Sequence, residues 1–199
     1  RGLPPGKTQS IERLFAREDF TRAGPEETGD LNFPTRVVEG YREHFISDLA
    51  TDTIANRGFT LVVDYAYGTT VEVFPGLLGS LGMEIVSLDA YASPGRLSRS
   101  DEEFQEGLKR LGDIVRSIDA ELGLWIDPGG EVIYLVDDAG RPLSPELTQA
   151  VYVGLALDHL NVHRVAIPVT TPAAVVHRIR EAGGDILWTK TEHHAMMAS

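Results

Sequence analysis

The sequence predicts an α/β protein: a layered, mixed β-sheet with helices on both faces. Three observations carry this prediction. Strand and helix patterns follow one another in the order β-α-β-α-β-β-α-β-α-β, as a layered sheet requires. Residues 59–66 form a continuous β-branched and apolar run, which suits a strand buried on both faces. Two short apolar runs, 122–127 and 132–137, are separated by Pro128, Gly129 and Gly130, so they are expected to pair as an antiparallel hairpin.

The elements follow in order. Residues 1–35 are rich in Arg, Glu, Gly and Pro, with one short periodic patch in which Ser10 is expected to cap a helix holding Ile11, Leu14 and Phe15. A second helix is expected over 34–53, because Val37, Val38, Tyr41, Phe45 and Leu49 recur at helical spacing. After the strand at 59–66, the turn Gly68-Thr69-Thr70 leads into a helix with Val71, Phe74, Leu77, Leu78 and Leu81 on its apolar face. Gly82 stands where a left-handed terminator belongs. Residues 83–88 read as the next strand. Ser100 and Glu103 make a capping box for a helix carrying Phe104, Leu108, Leu111, Val115 and Ile118. Beyond the hairpin, Ser144 and Pro145 open a helix to about residue 160 whose segment 150–157 is apolar on nearly every side, so a deeply buried helix is expected. A strand at 163–169, a cap at Thr171-Pro172, a helix to Arg180, a stop at Gly183-Gly184 and a last strand at 185–190 complete the chain. Residues 163–199 fit either a unit of their own or an extension of the central sheet.

Thirty acidic residues against 18 basic ones give a net charge of −12 over 199 residues. Nucleic-acid binding is not expected, because that affinity comes from Lys and Arg displacing counterions. Nor is there a basic surface for an anionic membrane, and no apolar stretch is long enough to span one. Cysteine is absent, which excludes disulfides, thiolate metal sites and thiol nucleophiles and agrees with a cytoplasmic protein. The opening Arg1-Gly2-Leu3-Pro4-Pro5 has no initiating Met, so the chain is expected to be a fragment.

Phosphate-cradling signatures such as G-x-G-x-x-G and G-x-x-x-x-G-K-[ST] are missing, and so is the G-x-S-x-G nucleophile turn. The turn at 64–70 offers backbone amides after a strand, but a tight turn that needs Gly explains it better. His44, His159, His163 and His177 are scattered over different elements, and His193-His194 lie in the terminal segment, so no metal spacing emerges. The run Asp101-Glu102-Glu103 opens a helix, where carboxylates offset the dipole. One loop remains: Asp127 and Glu131 stand four positions apart at the hairpin tip. They are the candidate metal ligands. Two carboxylates are few for a magnesium ion, which takes six oxygens, and from spacing alone a plain turn is favoured.

The phrase Leu61-Val62-Val63-Asp64-Tyr65-Ala66-Tyr67-Gly68, then Pro75, Leu77-Leu78 and Leu81-Gly82-Met83-Glu84-Ile85-Val86, resembles the opening of the second domain of the α-D-phosphohexomutase superfamily, which includes phosphomannomutase and phosphoglucomutase. Residues 122–127 and 135–140 resemble the strands around that family's metal loop, and 164–191 resemble the start of its third domain. The phrases Ile11 to Phe20 and Glu26-Glu27-Thr28-Gly29-Asp30 are similar to the end of a first mutase domain. Their form resembles the mutase-like C-terminal part of bacterial mannose-1-phosphate guanylyltransferase-like fusions.

The resemblance implies a division into 1–56 (end of a preceding domain and linker helix), 57–161 (domain II-like) and 162–199 (start of a third domain). It also implies a magnesium loop of the form D-G-D-x-D-R, which here reads Asp127-Pro128-Gly129-Gly130-Glu131-Val132. Two of its carboxylate positions survive, as Asp127 and Glu131; the middle one is Gly129 and the Arg is Val132. The family's phosphoserine loop has no counterpart here. The expectation is a non-catalytic phosphohexomutase-like region, with no catalytic residues, no cofactor and at most a weak magnesium site. It would be attached to a sugar-1-phosphate nucleotidyltransferase in nucleotide-sugar (GDP-mannose-type) synthesis. The alternatives are the central domains of an active phosphomannomutase or phosphoglucomutase, and an unrelated sugar- or nucleotide-binding α/β protein. Expected partners are other domains of the same polypeptide. A homo-oligomer is a further expectation, through Leu14, Phe15, Trp188 and Met196, and sugar phosphate would bind only in the longer protein.

Overall fold

The computed structural model describes residues 3, 5–27, 29–160 and 162–191. In chain order the elements are α1 (Pro5–Ala16), α2 (Val37–Ser47), α3 (Thr51–Arg57), β1 (Thr60–Asp64), α4 (Phe74–Ser80), β2 (Glu84–Leu88), α5 (Asp101–Ser117), β3 (Leu122–Ile126), β4 (Ile133–Val136), α6 (Pro145–His159), β5 (Arg164–Pro168), α7 (Ala173–Glu181) and β6 (Asp185–Thr189). Two compact units result: Thr35–Thr148, and Arg1–Pro34 together with Gln149–Ser199.

The first unit holds a four-stranded mixed sheet in the order β2-β1-β3-β4. β1 pairs in parallel with β2 (Val62 opposite Val86) and with β3 (Leu61 opposite Leu122), while β3 and β4 form the antiparallel hairpin. Alternation along β1 builds two cores. Val62 and Ala66 pack with Leu108, Leu111 and Val115 of α5. Leu61, Val63 and Tyr65 face the other way, toward Phe74 and Leu78 of α4. Val62, Val63, Leu77, Leu111 and Val115 are fully buried, each contributing about 1.5–3 kcal/mol of transfer free energy. The expected capping box forms, with Glu103 N–H donating to Ser100 Oγ at 3.2 Å and Ser100 N–H donating to Glu103 Oε2 at 2.8 Å. The helix face expected to include Ile118 ends earlier, since Ile118 is the half-exposed cap residue.

Several local expectations are corrected. Ser10 is not a cap; it lies inside α1, and its hydroxyl donates to the Gly6 carbonyl. The single helix expected over 34–53 is two, because the chain leaves helical geometry between Asp48 and Ala50. Arg42 of α2 donates to the carbonyls of Glu72 and Val73, and Phe45 meets Phe74 edge-on at 6.1 Å, which seats α2 beside α4.

The second unit holds a separate parallel pair, β5-β6, under a core of Val153, Ile167, Val175 and Ile179. Residues 164–189 therefore pair among themselves. Ser144 Oγ accepts from Leu147 N–H, as its cap role requires. The deep burial expected of α6 does not occur: Val153 and Gly154 are buried, but Tyr152 is 70% and Leu155 55% exposed. One stripe suffices to seat α6 on its core, and the apolar residues opposite have no neighbour that covers them among the described residues. Thr171 does not cap α7, whose first flanking residue is Pro172 with no side-chain cap. Leu14, Phe15 and Trp188 are exposed; Met196, His193 and His194 lie outside the described residues. No helix among the described residues is long and apolar enough to cross a membrane.

Candidate functional site

All three parallel strands end at one edge of the four-stranded sheet, and each is followed by an aspartate there: Asp64 closes β1, Asp89 follows β2 and Asp127 follows β3. Loops at the carboxyl ends of parallel strands are where α/β sheets carry ligands. Backbone strain concentrates at the same edge. Ala66, Tyr67 and Asp89 hold positive φ of 49°, 59° and 46°, a region costly for residues with a Cβ.

The loop after β3 holds the two predicted metal ligands. Asp127 Oδ1 accepts from the N–H groups of Glu131 and Val132, both at 2.6 Å, and Oδ2 accepts from Gly129 N–H at 3.1 Å. The Asp127 carboxylate is thus the clasp of its own loop. The turn after β1 adds a second constraint. A Cβ on Gly68 would stand 2.6 Å from Pro128 Cα and from its carbonyl oxygen, and one on Gly130 would stand 2.7 Å from Thr70 Cγ2. Gly68 is therefore required by close approach, which sequence analysis treated only as a turn. A magnesium ion needs about six converging oxygens. Here three of the roughly four acceptor sites of the Asp127 carboxylate face backbone donors. Glu131 is exposed, and no group of three His, Asp or Glu side chains converges among the described residues. This donor set does not fit the ion that the family resemblance implies.

A second cluster, absent from the sequence predictions, lies beside the first. Asp64 is fully buried. Its Oδ1 accepts from Ala66 N–H at 2.8 Å, and its Oδ2 accepts from Arg110 Nη2 at 2.7 Å. The same Arg110 nitrogen donates to Asp89 Oδ2 at 2.7 Å, and Arg99 reaches that oxygen at 3.2 Å. Burial alone would raise the Asp89 carboxyl. The hydrogen bonds from Arg110 and Tyr67, with the charges of Arg110 and Arg99, outweigh it and hold the group below its ordinary value. The hydrogen bond to Asp89 is also the main reason the Tyr67 phenol and the Arg110 guanidinium are raised. Arg96 donates to Tyr67 Oη at 3.0 Å and lies 4.9 Å over its ring. Tyr67, Asp89, Arg96, Arg99 and Arg110, with Glu103 and Glu106, wall a cleft of about 440 Å³ between the 89–100 loop and α5, and Asp64 lies buried behind them. The available signal was Asp64: a carboxylate ending an apolar, two-sided strand must have a partner. Its identity, Arg110, is set by tertiary structure and cannot be read from spacing.

Comparison with known proteins bears on the fold and the family. A phosphoglucomutase/phosphomannomutase of Thermococcus kodakarensis is 26% identical over 189 residues, covering 95% of this chain and 41% of the relative. A phosphoglucosamine mutase of Parafrankia sp. is 25% identical over 189 residues, covering 94% and 40%. A crystal structure of a phosphoglucomutase/phosphomannomutase family protein from Burkholderia thailandensis superposes with a TM-score of 0.77 at 22% identity, over 98% of this chain and 41% of that one, which shows the shared fold. The chain spans about 40% of the length of the curated relatives it matches. Residues 39–140 match the family described as phosphoglucomutase/phosphomannomutase, alpha/beta/alpha domain II, and the mixed sheet with helices on both faces is that domain, so the chain belongs to the phosphoglucomutase/phosphomannomutase family.

Proposed function

We propose that this chain is a phosphohexomutase-like region that no longer transfers phosphoryl groups. It would serve as a scaffolding, oligomerising or regulatory part of a longer polypeptide bearing a sugar-1-phosphate nucleotidyltransferase of the GDP-mannose type. One observation carries the reading: the Asp127 carboxylate is engaged by three backbone N–H groups and its loop is seated against Gly68. Phosphoryl transfer depends on metal and donor groups positioned around one phosphate. In this reading Asp127 shapes its own loop, and no third carboxylate converges on it among the described residues. The partners in this reading are the other domains of the same polypeptide, in the cytoplasm, and sugar phosphate binds only in the longer protein. A second reading, the central domains of an active mutase, draws on the mutase names of relatives that match 94–95% of the chain.

Two measurements separate the readings. Titration calorimetry of the chain with Mg²⁺ is expected to give a dissociation constant no tighter than about 1 mM. The full-length parent is expected not to convert mannose 1-phosphate or glucose 1-phosphate to the 6-phosphate. Tight Mg²⁺ binding lost in Asp127→Ala, or robust turnover by the parent, would establish the second reading instead.

A further inference from the structure

We propose that the 89–100 loop is a strap on the cleft it walls, latched on Tyr67, and that it opens as one unit while the sheet stays closed. The argument does not use the non-catalytic reading.

Three observations converge. The first is that the body of the loop has little to bury. None of residues 90–98 is buried, and Tyr91 and Leu97 are 54% and 43% exposed. Opening therefore exposes little new apolar surface, and segments with few buried apolar contacts open at low cost. The second is that the two feet are fixed. Asp89 accepts from Arg99 at 3.2 Å and from Arg110 at 2.7 Å, which joins one end of the loop to the other and to α5. Ser100 is held in the capping box of α5. Joined feet under a free body make a compact surface loop that can move as a unit.

The third observation is where the body is fastened. Ser93 N–H donates to the Tyr67 carbonyl at 3.0 Å. Arg96 Nη1 donates to Tyr67 Oη at 3.0 Å, and its guanidinium lies 4.9 Å over the ring. Tyr91 meets the same ring edge-on at 5.1 Å. Among the described residues, every hydrogen bond and ring contact that ties 90–98 to residues outside the loop ends on Tyr67. Tyr67 is itself strained, with φ of 59° directly after Ala66 at 49°. Such strain persists only where the surroundings hold it, so the loop and Tyr67 hold each other in place. Tyr67 and Arg96 both line the cleft, so their separation widens it.

The test is amide hydrogen exchange by NMR on the full ¹⁵N-labelled chain. Ser93 N–H reports the latch, and Tyr65 N–H, which donates to the Leu88 carbonyl at 3.0 Å, reports the neighbouring sheet edge. Ser93 is expected to be protected, but at least about tenfold less than Tyr65. Tyr67→Phe keeps the ring and the carbonyl and removes only the hydroxyl. It should speed Ser93 exchange about tenfold and leave Tyr65 unchanged, which also shows that the variant folds. Arg96→Gln should act in the same direction. The double variant should fall well short of the product of the two, because both remove one hydrogen bond. An unprotected Ser93 means that no latched state exists and overturns the proposal. Equal protection of Ser93 and Tyr65 means that the loop opens with the sheet edge and overturns it too. So do unchanged Ser93 exchange in both single variants and effects that multiply in the double.

Discussion

Replacing Asp127 with Ala removes the acceptor for three backbone N–H groups, those of Gly129, Glu131 and Val132. Hydrogen bonds to a charged acceptor are worth about 1.5–3 kcal/mol each when water cannot replace them. This loop is open to solvent, so water recovers most of that, and the expected loss is about 2 kcal/mol for the set. Asp127→Asn keeps an oxygen for the short pair of bonds and should lose about half as much. The assay is urea unfolding followed by Trp125 fluorescence in a Trp188→Phe background, which reports the four-stranded sheet alone. With a slope of about 2 kcal/mol per molar urea, Asp127→Ala should move the midpoint down by about 1 M. Magnesium separates a clasp from a ligand. A site with a dissociation constant of about 10 μM would add about 4 kcal/mol at 10 mM Mg²⁺. A clasp predicts a small response to Mg²⁺ in the parent and in the variant alike. An unchanged midpoint in Asp127→Ala, or strong Mg²⁺ protection lost in that variant, would refute the assignment.

Two other expectations follow from the same edge of the sheet. Gly68→Ala places a Cβ 2.6 Å from the Pro128 backbone and should destabilise the sheet unit by about 1–3 kcal/mol, read by the same urea assay. The Asp89 carboxyl is held below its ordinary value of 3.8, so its stabilising contribution is complete above that value and is lost as pH falls through the depressed folded value. Acid titration of Trp125 fluorescence should therefore show Asp89→Asn unfolding at higher pH than the parent; coincident acid midpoints would contradict the linkage.

The layered fold was legible because its signals are local. The two-sided run around Val62 and Val63, the Ser100/Glu103 box and the Pro-Gly-Gly hairpin tip each act within a few residues, and each occurs where the pattern placed it. Asp127 was legible as the notable residue of its loop. Its three backbone partners lie within its own loop, but the loop's path from Asp127 to Val132, which sets those bonds, was not legible from the spacing of the two carboxylates. The Asp64–Arg110–Asp89 network escaped for a related reason. Arg110 is 46 positions from Asp64, and nothing in its own helix distinguishes it from an ordinary solvated Arg. The burial expected of α6 failed because an apolar composition states what a helix could cover and not what is present to cover it.

The strand pairing carries a consequence for the order in which the sheet assembles. β3 and β4 are joined by a six-residue loop that Asp127 helps to close, so this hairpin can form within microseconds, with α5 immediately upstream to pack on it. β1 must find β3 in parallel across about sixty residues, and that closure entropy is met before any of its contacts form. Among the described residues β2 pairs with β1 alone, so it is placed after β1. The hairpin and α5 therefore act as the template, and the opposite edge of the sheet is the part that opens first. Amide exchange in β2 should outpace that in β3.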